Sequence, residues 1–262
     1  IMKIYDCFMY FDEEIVVDVR LNTLDEFVDY FIIVESRFTH KGNRRELKYY
    51  PYREMCKIWL KHQLKTPNNI LASSSPRRKE LLTQIGYKFS VTSSNINENF
   101  NLSLSPKNFA EHWAYEKANC VALKNSDSMV IGADTIVVKD KEIFGKPKKR
   151  SDSFSMLKKL SGKTHQVITG VSIIFRKYNL NLTFSDSTLV TFNDYSDGDI
   201  LKYIDDKQPY DKAGSYGIQD SFAMYIRRIN GCYYNVMGLP LSKFHKNYNL
   251  ILNKKLKSDI NS

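Results

Sequence analysis

The chain has 262 residues, enough for one large domain or an ordinary domain with an appendage, and 42% of them are hydrophobic, enough for a real core. The formal charge is +10, but the lysines are spread along the chain rather than gathered in one arginine-rich block, which argues against a nucleic-acid footprint while leaving an attraction for polyphosphates. No apolar run approaches the roughly 18 residues that span a membrane, and Cys7, Cys56, Cys120 and Cys232 form no CxxC pair, so a reduced, cytoplasmic protein is the expectation.

Lys3 to Tyr10 reads as a strand, Asp12 to Asp25 as a helix with Ile15, Val16, Val19 and Leu24 on one side, and Tyr30 to Val34 as a second strand. Acids at Asp6 and 12–14 do not suit a signal peptide. One βαβ unit is too small to stand alone. Tyr49 to Asn69 is a bridge, with helical spacing at Met55, Ile58, Trp59 and Leu64 until "KTPNN" breaks it. Ile70 to Ala72 is short and apolar, as a buried strand end is. Ser73, Ser74 and Ser75 follow, then Pro76 at the first position of a helix whose apolar face is Leu81, Leu82 and Ile85 and whose stop is Gly86. Its first turn carries Arg77, Arg78 and Lys79, where the helix dipole favours acids. Hydroxyls, free amides and two arginines at a helix start suit an anion, phosphate above all; the alternative is a basic, exposed first turn.

Phe89 to Thr92 reads as a strand leading to a polar loop whose strong metal-type ligand is Glu98. Ser105-Pro106 starts a helix to about Leu123 with the stripe Ala110, Trp113, Ala114, Ala118 and Val121. Lys117 falls on that same stripe, so it either snorkels or meets an anion. Met129 to Val138 is the strongest strand, and Asp134 interrupts it. A buried carboxylate must bind a metal, pair with a cation or face a cleft. Gly132 allows a close backbone approach, and Thr135 adds a hydroxyl.

"FGKP" at 144–147 is a turn presenting Lys146, and Ser151 is expected to cap a helix to Leu160. "HQVITGVSIIF" and "LTFSDSTLVTF" alternate like paired antiparallel strands, with His165 read as a hydrogen-bonding structural histidine before a catalytic one. A short helix at Asp197 to Asp206 precedes "QPYDKAGSYGIQ", a segment suited to wrap a ligand. Asn230-Gly231 reads as a hairpin turn between Phe222–Ile229 and Cys232–Met237. An amphipathic helix closes the domain, followed by a polar tail.

Two resemblances organise these elements. "IYDCFMYFDEE" and "DVRLNTLDEFVDYFIIVES", within residues 2–47, are similar to the opening of family 17 glycosyltransferases. The remaining sheet of such an enzyme does not follow, so Asp6, Asp12 and Glu13 are read as solvated or capping groups. From Ile70 to Leu252 the chain resembles the Maf family of nucleoside triphosphate pyrophosphatases, through "LASSSPRRKELL", Asn97-Glu98, "EKA" (116–118), "GADT" (132–135), "GKP" (145–147), "H.V.TGV" (165–171), "DKAGSYGIQ" (211–219) and "NVMGLPL" (235–241) in order.

That resemblance implies hydrolysis of a nucleoside triphosphate to the monophosphate and pyrophosphate with a divalent cation, Mg²⁺ or Mn²⁺. It implies Asp134 as general base and Arg77, Thr135 and Gln219 as residues that tune base recognition. The form "YGIQ" is similar to the dTTP/UTP subgroup, with pseudo-UTP or 5-methyl-UTP as further substrates. Residue chemistry fits these roles. Asp134 and Glu98 suit a metal, Ser73, Arg77 and Arg78 cradle phosphates, Lys117 and Lys146 counter charge, and Gln219 both donates to and accepts from a pyrimidine edge. Departures are Asp220 in place of a glycine, Asn97 in place of an aspartate and Gln208 in place of a glutamate; an acid at 220 threatens affinity for a triphosphate.

The expected fold is α/β: a mixed, partly antiparallel sheet flanked by helices, with a two-lobed cleft and an N-terminal βαβ appendage. The expected divisions are a fragment at 1–47, a linker at 48–69, a pyrophosphatase domain at 70–252 and a tail at 253–262. Dimers occur in the resembled family, so a homodimer is expected, with a nucleoside triphosphate as partner and neither membrane nor nucleic acid. The rival readings are N-acetylglucosaminyl transfer through the N-terminal segment, and a non-enzymatic cell-division regulator that binds nucleotide or nucleic acid.

Overall fold

The computed structural model of the chain describes residues 5–10, 30–35, 67–98 and 102–261. Residues 1–66 with 259–262 form one compact unit, and 67–258 form another. In the first, β1 (Tyr5–Tyr10) pairs in parallel with β2 (Tyr30–Glu35), Tyr5 opposite Tyr30. The helix expected over 12–25, the acids Asp12 and Glu13, and the linking helix within 49–66 lie outside the described residues.

The second unit is a seven-stranded mixed sheet flanked by helices. Strands β3 (Asn68–Leu71) and β4 (Ser90–Val91) lie at one end, parallel to each other. Next to β3 runs β5 (Ser128–Lys139), also parallel to it, and a short antiparallel strand, β6 (Glu142–Phe144), shares that edge of β5. The other edge of β5 is covered from Val130 to Val138 by antiparallel β7 (Thr164–Phe175), followed by β8 (Leu180–Phe192) and β9 (Ile226–Asn230). The β3 partnership ends at Ile131 and the β6 partnership begins at Val137. Between them, among the described residues, no strand pairs with 132–136 on that side. A side chain from either face of β5 can reach this open stretch.

The continuous apolar run that marked β5 in the sequence is explained by cover on both faces. On one lies α2 (Pro106–Ala122), started by Ser105, whose hydroxyl accepts from the Asn108 amide. The predicted stripe is buried, and Phe109 and Trp113 pack on Ile136, Val138 and Ile168. Two glycines set how closely α2 approaches: a Cβ on Gly132 would lie 2.3 Å from the Ala114 carbonyl oxygen, and one on Gly170 2.2 Å from that of Ala110. On the opposite face, α1 (Pro76–Gln84) brings Leu81 and Leu82, and α6 (Leu241–Asn261) brings Phe244, Tyr248 and Ile251, onto Met129, Ile131 and Ala133. Each such large side chain taken fully from water contributes about 1.5–3 kcal/mol.

Three expectations are corrected. Ser151 is not the cap of α3 (Arg150–Leu160); Lys149 holds that position, and the first-turn acid Asp152 accepts from the Lys148 amide instead. Asn230-Gly231 does not open a hairpin. The Thr188 hydroxyl accepts from the Cys232 amide and donates to its carbonyl, both at 3.0 Å, and turns the chain into the short helix α5 (Tyr233–Met237). The expected polar tail is helical, since α6 continues to Asn261. The helix expected at 197–206 is α4 (Asp197–Lys207), held by a capping box between Ser196 and Asp199. No helix among the described residues is long and apolar enough to cross a membrane.

Candidate active site

A cleft of about 350 Å³ opens beside β5. Its walls are the β3–α1 turn, the 93–98 loop, the open stretch of β5, Lys146 after β6, the 211–218 segment and residues 236–238, which end the short helix that follows β9. Five cations line it (Arg77, Arg78, Lys117, Lys146 and Lys212) against three carboxylates (Glu98, Asp134 and Asp211), so it is a positive concavity suited to a polyanion.

Side chains alternate across a strand, so Gly132, Asp134 and Ile136 look toward α2. Lys117 of α2 reaches that face and bonds Asp134 Oδ1 at 2.6 Å and Glu98 Oε1 at 2.7 Å. The lysine that violated the helix stripe and the acid that violated the strand are each other's partners. Asp134 is 4% exposed, and its second oxygen, Oδ2, is buried without any hydrogen bond. A carboxylate oxygen left unpartnered in a polar cleft is costly, and an incoming water or cation relieves it.

Thr135 looks the other way, toward Arg78. That guanidinium is buried and donates three bonds: Nε to the Gly238 carbonyl at 2.9 Å, Nη1 to Ser73 Oγ at 3.0 Å and Nη2 to Thr135 Oγ1 at 2.9 Å. Burial is the first cause lowering its pKa, partly offset by the charge of Asp134. Arg77, on the outer side of α1, is bound through Nη1 to Asp211 Oδ2 at 2.8 Å, and Lys212 Nζ holds the other Asp211 oxygen at 2.8 Å. Ser75 caps α1 without a side-chain bond and the first turn holds no acid, which leaves an anion-seeking helix end. Lys146 lines the cleft with its pKa lowered, first by burial and then by the like charges of Lys117 and Arg78.

The cleft thus gathers Ser73, Arg77, Arg78, Glu98, Lys117, Asp134, Thr135 and Lys146. Gln219 stands apart: it is exposed, and its neighbours Gly217 and Ile218 are the ones that line the cleft. His165 is buried and bonds the hydroxyl of Tyr216 at 2.7 Å, the structural role expected of it. Asp220 does not face the cleft. It caps the turn of 3₁₀ helix at Ser221–Tyr225 by accepting from the Phe222 amide, and it accepts from the Tyr203 hydroxyl at 2.9 Å. Gln208 closes α4 with left-handed backbone, and Asn97 is exposed. Asp211, Tyr216 and Thr169 stand within motifs quoted above, "DKAGSYGIQ" and "H.V.TGV", but the sequence assigned none of them a role of its own. For Thr169 it is the register, which sets it beside Thr135, that supplies the role.

Among the described residues no three His, Cys, Asp or Glu side chains gather into a metal cage. Asp134 and Glu98 nevertheless suit a hard cation that takes one or two carboxylates and completes its shell with phosphate oxygens, and the unpartnered Asp134 Oδ2 is a ligand to offer it.

Fold and cleft define an α/β protein with a cationic cleft beside a buried carboxylate. The model of the Maf-like protein family matches residues 68–249, and the chain belongs to that family. It is 46% identical over 181 residues to the dTTP/UTP pyrophosphatase of Acetivibrio thermocellus, covering 66% of this chain and 90% of that protein. It is 47% identical over 178 residues to the protein of the same name from Bacillus velezensis, 68% and 93% of the two chains. For that of Ruminiclostridium cellulolyticum the identity is 46% over 177 residues, 67% and 92% of the two chains.

Proposed function

We propose that the chain is a nucleoside triphosphate pyrophosphatase acting on dTTP and UTP in the cytoplasm, the activity its relatives are named for. The observation that carries the chemistry is that Asp134, a lining residue of a cationic cleft, has a buried oxygen, Oδ2, with no hydrogen-bond partner. The triphosphate lies along the start of α1, against Ser73, Arg77 and Lys146. The pyrimidine lies on the apolar lining of Val137, Val167 and Val236.

A water held by Asp134 Oδ2 attacks the α-phosphorus, its proton passes to that oxygen, and the bond to the β-phosphate oxygen breaks to release pyrophosphate. Lys117, fixed to Oδ1, orients the carboxylate and keeps it from turning away. The Arg77, Arg78 and Lys146 charges oppose the negative charge that shifts onto the leaving group. Asp134 and Glu98 would hold Mg²⁺ or Mn²⁺, which when bound supplies further charge neutralisation and a more acidic water.

The test is release of pyrophosphate and monophosphate from a panel of nucleoside triphosphates with each metal. Asp134→Asn is expected to lower kcat by roughly 10²–10⁴-fold, the range of a lost general base. Full activity in that variant overturns the mechanism.

A further inference from the structure

Two hydroxyls touch the Arg78 guanidinium, and bond accounting gives them opposite polarity. Ser73 Oγ accepts from Arg78 Nη1 at 3.0 Å and from the Ser75 amide at 3.2 Å. Both its lone pairs are filled, so it has only its proton left to offer. Thr135 Oγ1 begins a relay. It accepts from Arg78 Nη2 at 2.9 Å and lies 3.0 Å from Thr169 Oγ1, which lies 2.8 Å from the Asn235 carbonyl oxygen. One end of this chain is a guanidinium, which can only donate; the other is a carbonyl, which can only accept. Thr169 must therefore give its single proton to Asn235, so Thr135 must give its own to Thr169. What remains on Thr135 is a lone pair.

Resting on the pyrimidine reading above, we infer that Thr169 is a positioning residue for base selection: it locks Thr135 as an acceptor that takes the N3–H of uracil or thymine. Phosphate oxygens, themselves acceptors, suit Ser73 and are repelled by Thr135. Cytosine in the same pose sets the N3 lone pair against the Thr135 lone pair, an unmet pair of acceptors in a sheltered site. The placement is consistent with a base edge. Thr135 and Val137 follow each other on one face of β5, and Thr169 and Val167 are their partners on β7. The apolar lining that takes the ring is thus adjacent to the oxygen that reads it.

The relay is broken without touching the ligand by Thr169→Val, which releases the Thr135 proton to turn into the cleft. In the full chain, kcat/KM for UTP over CTP is expected to fall about tenfold or more in Thr169→Val, the scale set by one mismatched buried hydrogen-bonding group. Thr169→Ser is expected to keep the wild-type ratio, and UTP over dUTP to stay unchanged in both variants. An unmoved UTP/CTP ratio in Thr169→Val overturns the inference, as does a change in UTP/dUTP alone, which would place the sugar at Thr135. Thermal unfolding accompanies each variant. If Thr169→Val does not fold, Thr135→Val carries the same expectation, since it removes both the acceptor for N3–H and the repulsion of cytosine. The preference is also measured as calorimetric binding of UMP and CMP, which needs no turnover. A protein that prefers UMP, loses the preference in Thr169→Val and releases no pyrophosphate sinks the catalytic reading alone. One that cleaves UTP with an unaltered ratio in the variant sinks the polarity inference alone, and one that neither binds nor cleaves sinks both.

Discussion

The two faces of β5 meet the same cleft and work by different means. Toward α2, charge is matched to charge: Lys117 holds Asp134 and Glu98 at 2.6 and 2.7 Å, largely away from water. Toward α1 and α5, one guanidinium orders a file of neutral hydroxyls that ends on a backbone carbonyl. Strand alternation alone separates the two, because Asp134 and Thr135 are consecutive. The ionic face suits reaction, where a full charge must be oriented. The hydroxyl face suits recognition, where direction of a single proton distinguishes one ring from another.

Removing the ionic partner should have the largest effect. Lys117→Met leaves two carboxylates without their shared cation, Asp134 only 6% exposed at its side chain. Breaking a buried pair costs about 3–5 kcal/mol, so a markedly lowered Tm and a loss of kcat approaching that of Asp134→Asn are expected together. A variant with unchanged Tm would show that the pair carries little of the fold.

The hydroxyl face can be probed through charge it does not tolerate. His165 continues the line of Val167 and Thr169 on β7, and burial, with a smaller contribution from Lys139, pushes its pKa down to about 3. The unfolded chain, with an ordinary value near 6.5, takes the proton first. Stability from this group is therefore full above about pH 6.5 and is lost as pH falls toward 3. Between pH 7 and pH 5 that amounts to about 2 kcal/mol. Denaturant unfolding of His165→Asn should show a correspondingly flatter acid limb; an equal slope in both proteins would count against a buried neutral histidine.

The smallest expected effect is at the rim. Asp211, 53% exposed, holds Arg77 and reduces the positive charge facing a triphosphate. Asp211→Asn should lower KM by about two- to fivefold at low ionic strength, a gain that fades with added salt as surface charge is screened. A salt-independent change would mean that Asp211 acts by shaping the loop instead.

Residues that break a local rule were the ones most visible in the sequence. Asp134 in an apolar strand and Lys117 on an apolar stripe each announced a conflict, and the fold resolves both with one contact. Arginines at the wrong end of a helix announced the anion end in the same way. Residues that obey their local rules did not disclose their roles. Thr169 stands in "H.V.TGV", yet that string gives it no role until register sets it beside Thr135. Asn230-Gly231 carried a strong hairpin signal, but Thr188, far away in sequence, redirects the next residue into α5. Asp220 looked hostile to a triphosphate only because its partners, Tyr203 and the Phe222 amide, are not legible from spacing.

Over Gly132 and Gly170 the turns of α2 lie low on the sheet. Their height above the sheet is also a calibration of the chemistry. Lys117 hangs from α2, and its reach to Asp134 is fixed by the distance between helix axis and strand. A single methyl at 132 would meet the Ala114 carbonyl at 2.3 Å and lift the helix. The lysine would rise with it, and its ammonium would draw off the carboxylate it steers. An alanine there, far too small and inert to join any reaction, would thus act as a detuning screw on the acid two residues away.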